Sequence, residues 1–269
     1  MQRYKLFPTP PNYNQNYFTK ISSGKHQWSY RRQPEWLPSL NFLNELFAKF
    51  GKSIYLCSMT PQETRNQKLA ERLIKNLNRR HIEAFYCKTG EEAVNKVQEL
   101  IHDGSSVTWG GTMTVRDLGI PDALRSRGTL EVLDRDLADT PEEKQAMYLR
   151  AFSTDVYLSS ANAISEDGVI VNIDGNGNRV AAITWGPKKV IFVIGLNKVA
   201  QTTEAALTRA RATASPINAA RFDIKTPCQT DGVCHNCNSA DSICNFVHFL
   251  RNSPKGRHVV VLVGENLGY

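Results

Sequence analysis

The sequence predicts an α/β fold in which a parallel or mixed sheet is covered by helices on both faces. Three observations carry that prediction. Short β-branched runs alternate along the chain with amphipathic segments of helical length. Several of those segments open on threonine-led capping signatures, which mark where helices begin. The length of 269 residues, with 41% hydrophobic and 22% charged, allows one large domain or two small ones with an ample core.

Glu35–Phe50 suits a short amphipathic helix and Ser53–Cys57 a strand. Thr60-Pro61-Gln62-Glu63 is a capping box with proline at the first helical position. The helix behind it aligns Leu69, Ala70, Leu73, Ile74 and Leu77 at spacings of three and four. Ile82–Cys87 reads as a strand. Thr89-Gly90-Glu91-Glu92 caps another helix, with Ala93, Val94, Val97, Leu100 and Ile101 on one face. The expected strand Ser106–Trp109 runs into Gly110-Gly111, and a third cap at Thr140 opens a helix to about Phe152. Strands are expected at Val156–Ser160, Val169–Ile173, Val180–Thr184, Val190–Gly195 and His258–Val263, with a helix from about Thr203 to Arg211. Asp174-Gly175-Asn176-Gly177, between two of these strands, reads as a hairpin-type turn, which makes at least one pair antiparallel. No internal repeat is visible.

The formal net charge of +7 is unevenly placed. Residues 1–34 hold six basic residues (Arg3, Lys5, Lys20, Lys25, Arg31, Arg32) and no acid, leaving 27 basic against 26 acidic residues in the remainder. That remainder is close to neutral and has no basic stripe, which argues against nucleic acid as a partner. The first 34 residues, rich in Pro, Asn, Tyr and Ser, read as an extension poorly ordered or laid along the surface. Its acid depletion also suits an organellar transit peptide, although its prolines and asparagines do not. No run approaches the ~20 apolar residues of a membrane helix, and no apolar segment follows the N-terminal charges as in a secretory signal. A cytoplasmic protein with reduced cysteines is expected.

Four of the six cysteines fall within seventeen residues: Cys228, Cys234, Cys237 and Cys244, spaced Cys-x5-Cys-x2-Cys-x6-Cys in PCQTDGVCHNCNSADSICN. A polar, turn-rich loop can aim several thiolates at one point, so a metal site is expected over ordinary packing or a redox thiol pair. An iron–sulfur cluster of the four-iron type and structural zinc both suit the spacing. Only Cys234–Cys237 forms a zinc-type knuckle, with His235 and His248 available as substitute ligands.

Three further segments can carry chemistry. Trp109-Gly110-Gly111-Thr112-Met113-Thr114 joins a strand to a helix; its glycines admit a ligand to the backbone, and Thr112 and Thr114 offer hydroxyls. It lacks the Walker and dinucleotide spacings, and a capped tight turn explains it equally well. Asn162 and Glu166 follow an expected buried strand, where Glu166 suits a general acid or base or a solvated turn carboxylate. Asp174, Asn176, Asn178 and Arg179 form a polar loop that begins like a calcium loop. Arg179 stands where that loop needs glycine and Trp185 where it needs glutamate, so calcium is rejected. Arg179 there suits a carboxylate or phosphate clamp. No catalytic serine elbow, zinc-protease helix or kinase signature is present, and His26, His81, His102 and His258 stand singly.

SVTWGGTMTVRDLGIPDAL, ANAISEDGVIVNIDGNGNRVAAITWGPKKVIFVIGLNKV and ATASPINAARFDIKTPC, in that order, resemble the lactate-utilisation (LUD) domain family over about Met59 to Tyr269. The resemblance implies a three-layer, Rossmann-like α/β sandwich with a mixed, mostly parallel sheet, similar to the glucosamine-6-phosphate deaminase, ribose-5-phosphate isomerase and CoA-transferase group. It also implies a part in oxidative conversion of L-lactate to pyruvate alongside iron–sulfur partner proteins. The family's glycine-threonine loop falls on Gly110, Gly111, Thr112 and Thr114, and its Ala-x-Glu-x-Gly element on Ser165–Gly168, which points to Glu166 as the acid/base or ligand-holding residue. Similar proteins begin near Met59, so residues 1–58 are expected to be a separate extension and 59–269 the domain, with the cysteine loop at 228–244 found in only a subgroup. The combined expectation is a redox component binding a small anionic metabolite between Gly110–Thr114, Asn162–Gly168 and Asp174–Arg179. A sugar-phosphate isomerase or acyl-transfer enzyme with structural zinc, and a non-catalytic assembly subunit, are the alternatives.

Overall fold

The computed structural model describes residues 59–269; the N-terminal extension, the expected helix Glu35–Phe50 and the expected strand Ser53–Cys57 lie outside the described residues. In chain order the elements are α1 (Pro61–Arg79), β1 (Glu83–Cys87), α2 (Gly90–Glu99), β2 (Ser106–Trp109), α3 (Met113–Asp117), α4 (Ile120–Ser126), β3 (Glu131–Leu133) and α5 (Pro141–Ala151). Then come β4 (Val156–Ser159), β5 (Ala163–Ser165), β6 (Ile170–Asp174), α6 (Asn178–Thr184), β7 (Lys189–Gly195) and β8 (Val199–Ala200). α7 (Thr203–Arg209), α8 (Ser215–Ala219), α9 (Pro227–Asp231), β9 (Phe246–Leu250) and β10 (His258–Val263) complete the series.

The three threonine caps form as the sequence predicts. Thr60 Oγ1 accepts from the Glu63 N–H at 3.2 Å while Glu63 Oε2 accepts from the Thr60 N–H at 2.7 Å, and Thr140 and Glu143 repeat that reciprocal box. Thr89 Oγ1 accepts from the Glu92 N–H. Each box satisfies two orphan donors and fixes the first turn of its helix.

Six strands form one sheet in the order β1-β10-β7-β4-β2-β3, and every pairing in it is parallel. Its central strands show the two-residue period of a sheet buried on both sides. Val190, Phe192, Ile194, Val260 and Leu262 face Leu69, Leu73 and Leu77 of α1 and Ile183 of α6. Ile191, Val193, Val259, Val261 and Val263 face Ala93 and Val97 of α2, Val115 of α3 and Leu124 of α4. This is the helix–sheet–helix sandwich expected. A second sheet, β8-β5-β6-β9, is mixed: β5 and β6 are antiparallel, β6 and β9 are antiparallel, and β5 and β8 are parallel. It places Ile164, Ile170 and Leu250 in the α1-side core, while Ala163, Val171 and Ile173 pack with Ala206 of α7 and Ala210 just after it.

Two expectations fail locally. Residues 180–184, predicted as a strand after a hairpin turn, are helical: Gly177, at φ 77°, directs the chain into α6, and the Asp174 carboxylate accepts from the Val180 N–H at 2.9 Å. β-branched Val180, Ile183 and Thr184 imitate a strand, but Val180 and Ile183 are three apart on the buried face of a helix. The antiparallel partners of β6 are instead β9 and β5, the latter joined to it through a turn in which Gly168 has φ 91°. The helix expected at 203–211 ends at Arg209, passes through a π-helical turn (Ala210–Ala214), and resumes as α8. β3, β5, β8 and β9 are additional strands absent from the sequence prediction.

His258, 1% exposed at the start of β10, is clamped between the Ser253 hydroxyl at Nδ1 (2.7 Å) and the Ile183 carbonyl at Nε2 (3.0 Å). Burial pushes its pKa down from 6.5 to about 4, with Arg257 and His248 adding to the effect and the Ile183 hydrogen bond opposing it. The unfolded chain therefore binds one more proton between these values, and native stability is lost as pH falls from 6.5 towards 4. Urea unfolding across this window should show that slope, and His258→Gln should flatten it.

Candidate functional site

A cleft of about 380 Å³ opens beyond the C-terminal ends of β2, β4 and β7, where ligands of parallel α/β sheets are generally held. Its walls come from Gly111–Thr114 after β2, Ser160–Asn162 after β4, and Asp174–Gly175, Asn176, Asn178 and Arg179 after β6. Lys198, Arg135, Arg221 and the cysteine-loop residues Ser242 and Ile243 complete the lining, with Gly268 and Tyr269.

Arg179 is the internal brace of this site. Its Nε donates to Asp174 Oδ1 (2.8 Å), Nη1 to the Ser160 carbonyl (3.2 Å), and Nη2 to Asn162 Oδ1 (2.9 Å) and the Ile173 carbonyl (2.9 Å). Asn162 Oδ1 also accepts from the Ile173 N–H. One guanidinium thus ties β6, the loop after β4 and α6 together. With every nitrogen engaged by the protein, Arg179 is a strut of the site. Both partners are nearly buried, Arg179 at 11% and Asp174 at 7% side-chain exposure, so the pair is held in a poorly screened setting.

The glycine pair is explained by what presses on it. A Cβ at Gly110 would lie 2.6 Å from Tyr157 Oη and 3.0 Å from Arg179 Cγ, and one at Gly111 would lie 3.0 Å from Arg135 Nη2. Gly110 N–H donates to the Leu158 carbonyl and lies beneath the cleft rather than in its lining, whereas Gly111 reaches the surface beside Arg135. Arg135 stacks over Tyr148 at 5.4 Å, and its buried Nε makes no hydrogen bond.

Lys198 was not among the residues singled out by sequence. It is 3% exposed, and its Nζ donates to Thr114 Oγ1 at 2.9 Å and Ser160 Oγ at 3.1 Å. Among the described residues no carboxylate forms an ion pair with it. Burial, with Arg209 and Arg179 nearby, pushes its pKa down to about 7 against a weak opposing effect of Asp117. The lining thus holds four cationic side chains (Arg135, Arg179, Lys198, Arg221) and a single side-chain carboxylate, Asp174, which Arg179 already neutralises. Such a surplus favours an anion.

Thr112, Thr114, Asn162, Asp174, Asn176, Asn178, Arg179 and Gly111 are thus brought together on one cleft, with Gly110 just below. Glu166 is not among them. It sits in the β5–β6 turn, where its carboxylate pairs with Arg72 of α1 at 3.1 Å and its carbonyl accepts from Asn76 at 2.8 Å. That geometry gives Glu166 the place of a turn carboxylate bracing α1, away from the cleft lining. The signal for Lys198 was present in the sequence: a lysine three residues beyond the apolar run VIFVIG, where a parallel strand delivers its ligand-facing residues.

Cys228, Cys234, Cys237 and Cys244 are all free thiols of intermediate exposure, so no disulfide framework forms among them. Their donor chemistry suits a thiophilic metal. Among the described residues no three His, Cys, Asp or Glu side chains are gathered as ligands. His235 Nε2 is engaged by Asp231 Oδ2 at 2.6 Å, and His248, on β9, approaches Thr184 Oγ1 at 3.1 Å.

A family model described as the LUD domain matches residues 70–263. The chain belongs to the LUD domain family. Membership supports a lactate-utilisation-related role for this LUD protein. No curated protein matches it. Among solved structures, a DUF162-family protein from Deinococcus radiodurans is 13% identical, with a TM-score of 0.45, covering 74% of this chain and 98% of that one. Ribose 5-phosphate isomerase from Plasmodium falciparum, 13% identical, has a TM-score of 0.28 and covers 42% of this chain and 52% of that one. The eIF2B delta chain from Chaetomium thermophilum, 14% identical, has a TM-score of 0.30 and covers 67% and 82%. Likenesses this distant say nothing of the LUD protein's chemistry. Among the described residues no helix is long and apolar enough to cross a membrane.

Removing one partner of the Arg179–Asp174 pair leaves a charge nearly buried. Asp174→Ala should lower unfolding free energy by about 3–5 kcal/mol in urea titrations. Glu131→Ala, which breaks an ion pair with Arg150 exposed by more than half on both sides, should leave stability close to wild type.

Proposed function

We propose that this LUD domain binds a small carboxylate metabolite of the lactate–pyruvate class in the cleft between the β2, β4 and β6 loops. The observation that carries the reading is the cationic surplus of the lining, centred on the buried Lys198 amine held by Thr114 and Ser160. Lys198 and Arg135 are the anion-binding groups, since Arg179 is already engaged by the protein. Thr114 and Ser160 orient the amine and offer hydroxyls to a ligand oxygen.

Binding should be measured calorimetrically with lactate, pyruvate and ribose 5-phosphate side by side. Preference for the small acids supports the reading, and preference for the phosphosugar favours the isomerase-type alternative. Replacing Lys198 by Met should weaken binding of the acids roughly 10- to 100-fold, the range for a hydrogen bond to a charged group. The amine is charged below its pKa of about 7 and neutral above it, so affinity for the carboxylate should fall as pH rises through 7.

The redox part of the reading rests on the cysteine loop. As a second element of the proposal, Cys228, Cys234, Cys237 and Cys244 take up an iron–sulfur cluster, or zinc as the alternative, when the loop draws its sulfurs together. With an iron–sulfur cluster there, partner proteins carrying iron–sulfur centres would exchange electrons with it, whereas zinc would have a structural role only. Anaerobic purification should yield brown protein with stoichiometric iron, or colourless protein with one zinc, and Cys234→Ser should lower either content. Metal-free protein after reconstitution with both would end this part of the proposal.

A further inference from the structure

Most buried lysines are neutralised by a carboxylate. Lys198 instead places its Nζ in the lining of an open cleft, with two hydroxyls as its hydrogen-bond partners. We propose that Lys198 is a covalent catalytic residue, whose Nζ condenses with the carbonyl carbon of a small 2-oxo acid held in the cleft to form an imine. This deepens the anion-binding reading and rests on it: the carboxylate of the acid lies towards Arg135, and its carbonyl towards Lys198.

The chemistry balances without an oxidant. The amine lone pair attacks the carbonyl carbon, a nitrogen–carbon bond forms, and the carbonyl oxygen takes a proton to give a carbinolamine. The carbon–oxygen bond then breaks, and water leaves. Two groups already in contact with Nζ suit the proton movements, since the Thr114 and Ser160 hydroxyls lie within 2.9 and 3.1 Å and can pass a proton between nitrogen and oxygen. Desolvation favours the uncharged amine, and so do the cations facing Lys198, Arg209 from α7 and Arg179 from α6; Asp117, at the end of α3, opposes them. This is the environment in which lysine becomes a nucleophile at neutral pH. Gly268 keeps the approach open, because a Cβ there would lie 3.3 Å from Nζ and 2.7 Å from Thr114 Oγ1.

The test is reductive trapping on the full chain. Protein is incubated with pyruvate, reduced with borohydride, and examined by intact mass and peptide mapping. The expected result is a single carboxyethyl adduct on Lys198, suppressed by excess lactate, which lacks the ketone, and absent from Lys198→Arg, which keeps the charge. Trapping should rise as pH climbs through about 7, the opposite of carboxylate affinity. Pyruvate binding without an adduct, or with adducts spread over other lysines, overturns the imine and leaves the anion cleft standing. If neither acid binds and no adduct forms, the cleft reading falls, and the imine with it.

Discussion

The buried guanidinium–carboxylate contact between Arg179 and Asp174 is the constraint on which the rest of the site depends. Asp174 ends β6, Arg179 lies in the first turn of α6, and the same guanidinium holds the Ser160 carbonyl and Asn162. The end of β6, the start of α6 and the loop after β4 are therefore fixed in one frame. Because Asp174 also caps α6 through Val180, the helix and the ion pair form together. Gly110 belongs to this frame as well, since only a residue without Cβ fits between Tyr157 and the Arg179 stem.

The division of labour among the cations follows from hydrogen-bond accounting. Counting charge alone, Arg179 is the obvious anion clamp. Counting donors, four of its five N–H groups are already engaged by the protein, while Lys198 and Arg135 are less committed. Arg221 is partly engaged too, through the Tyr269 hydroxyl and Asn218. The proposed chemistry of the site is accordingly concentrated on an amine set among hydroxyls and beside other positive groups.

How much of this was legible in the sequence depends on the range of the interaction. Capping boxes at Thr60 and Thr140 are set by residues three apart, and they appear as the sequence predicts. The alternation of β7 and β10 is equally local, and it identifies the central strands of the parallel sheet. α6 was misread because its β-branched residues satisfy strand propensity, while the carboxylate and left-handed glycine that make it a helix act from the preceding turn. β9 was missed because Phe246, Val247 and Phe249 are exposed, so the strand lacks a simple inward–outward code; its pairing with β6 comes from more than seventy residues away. The glycine-threonine and asparagine loops were recognisable as polar turns after strands. Glu166 looked equivalent to them by that criterion, yet only the tertiary path of α1 places Arg72 beside it.

One further property follows from the seam between the cysteine loop and the loop after β6. Backbone meets backbone there: a Cβ on Gly175 would stand 3.1 Å from Ile243 Cα, and Asn245 donates to the Gly175 carbonyl at 3.1 Å. Ser242 and Ile243 are at once cleft wall and immediate neighbours of Cys244. Any event that reshapes the thiol-bearing segment therefore changes the volume offered to a guest. By linkage, the guest biases that segment by the same free energy in return.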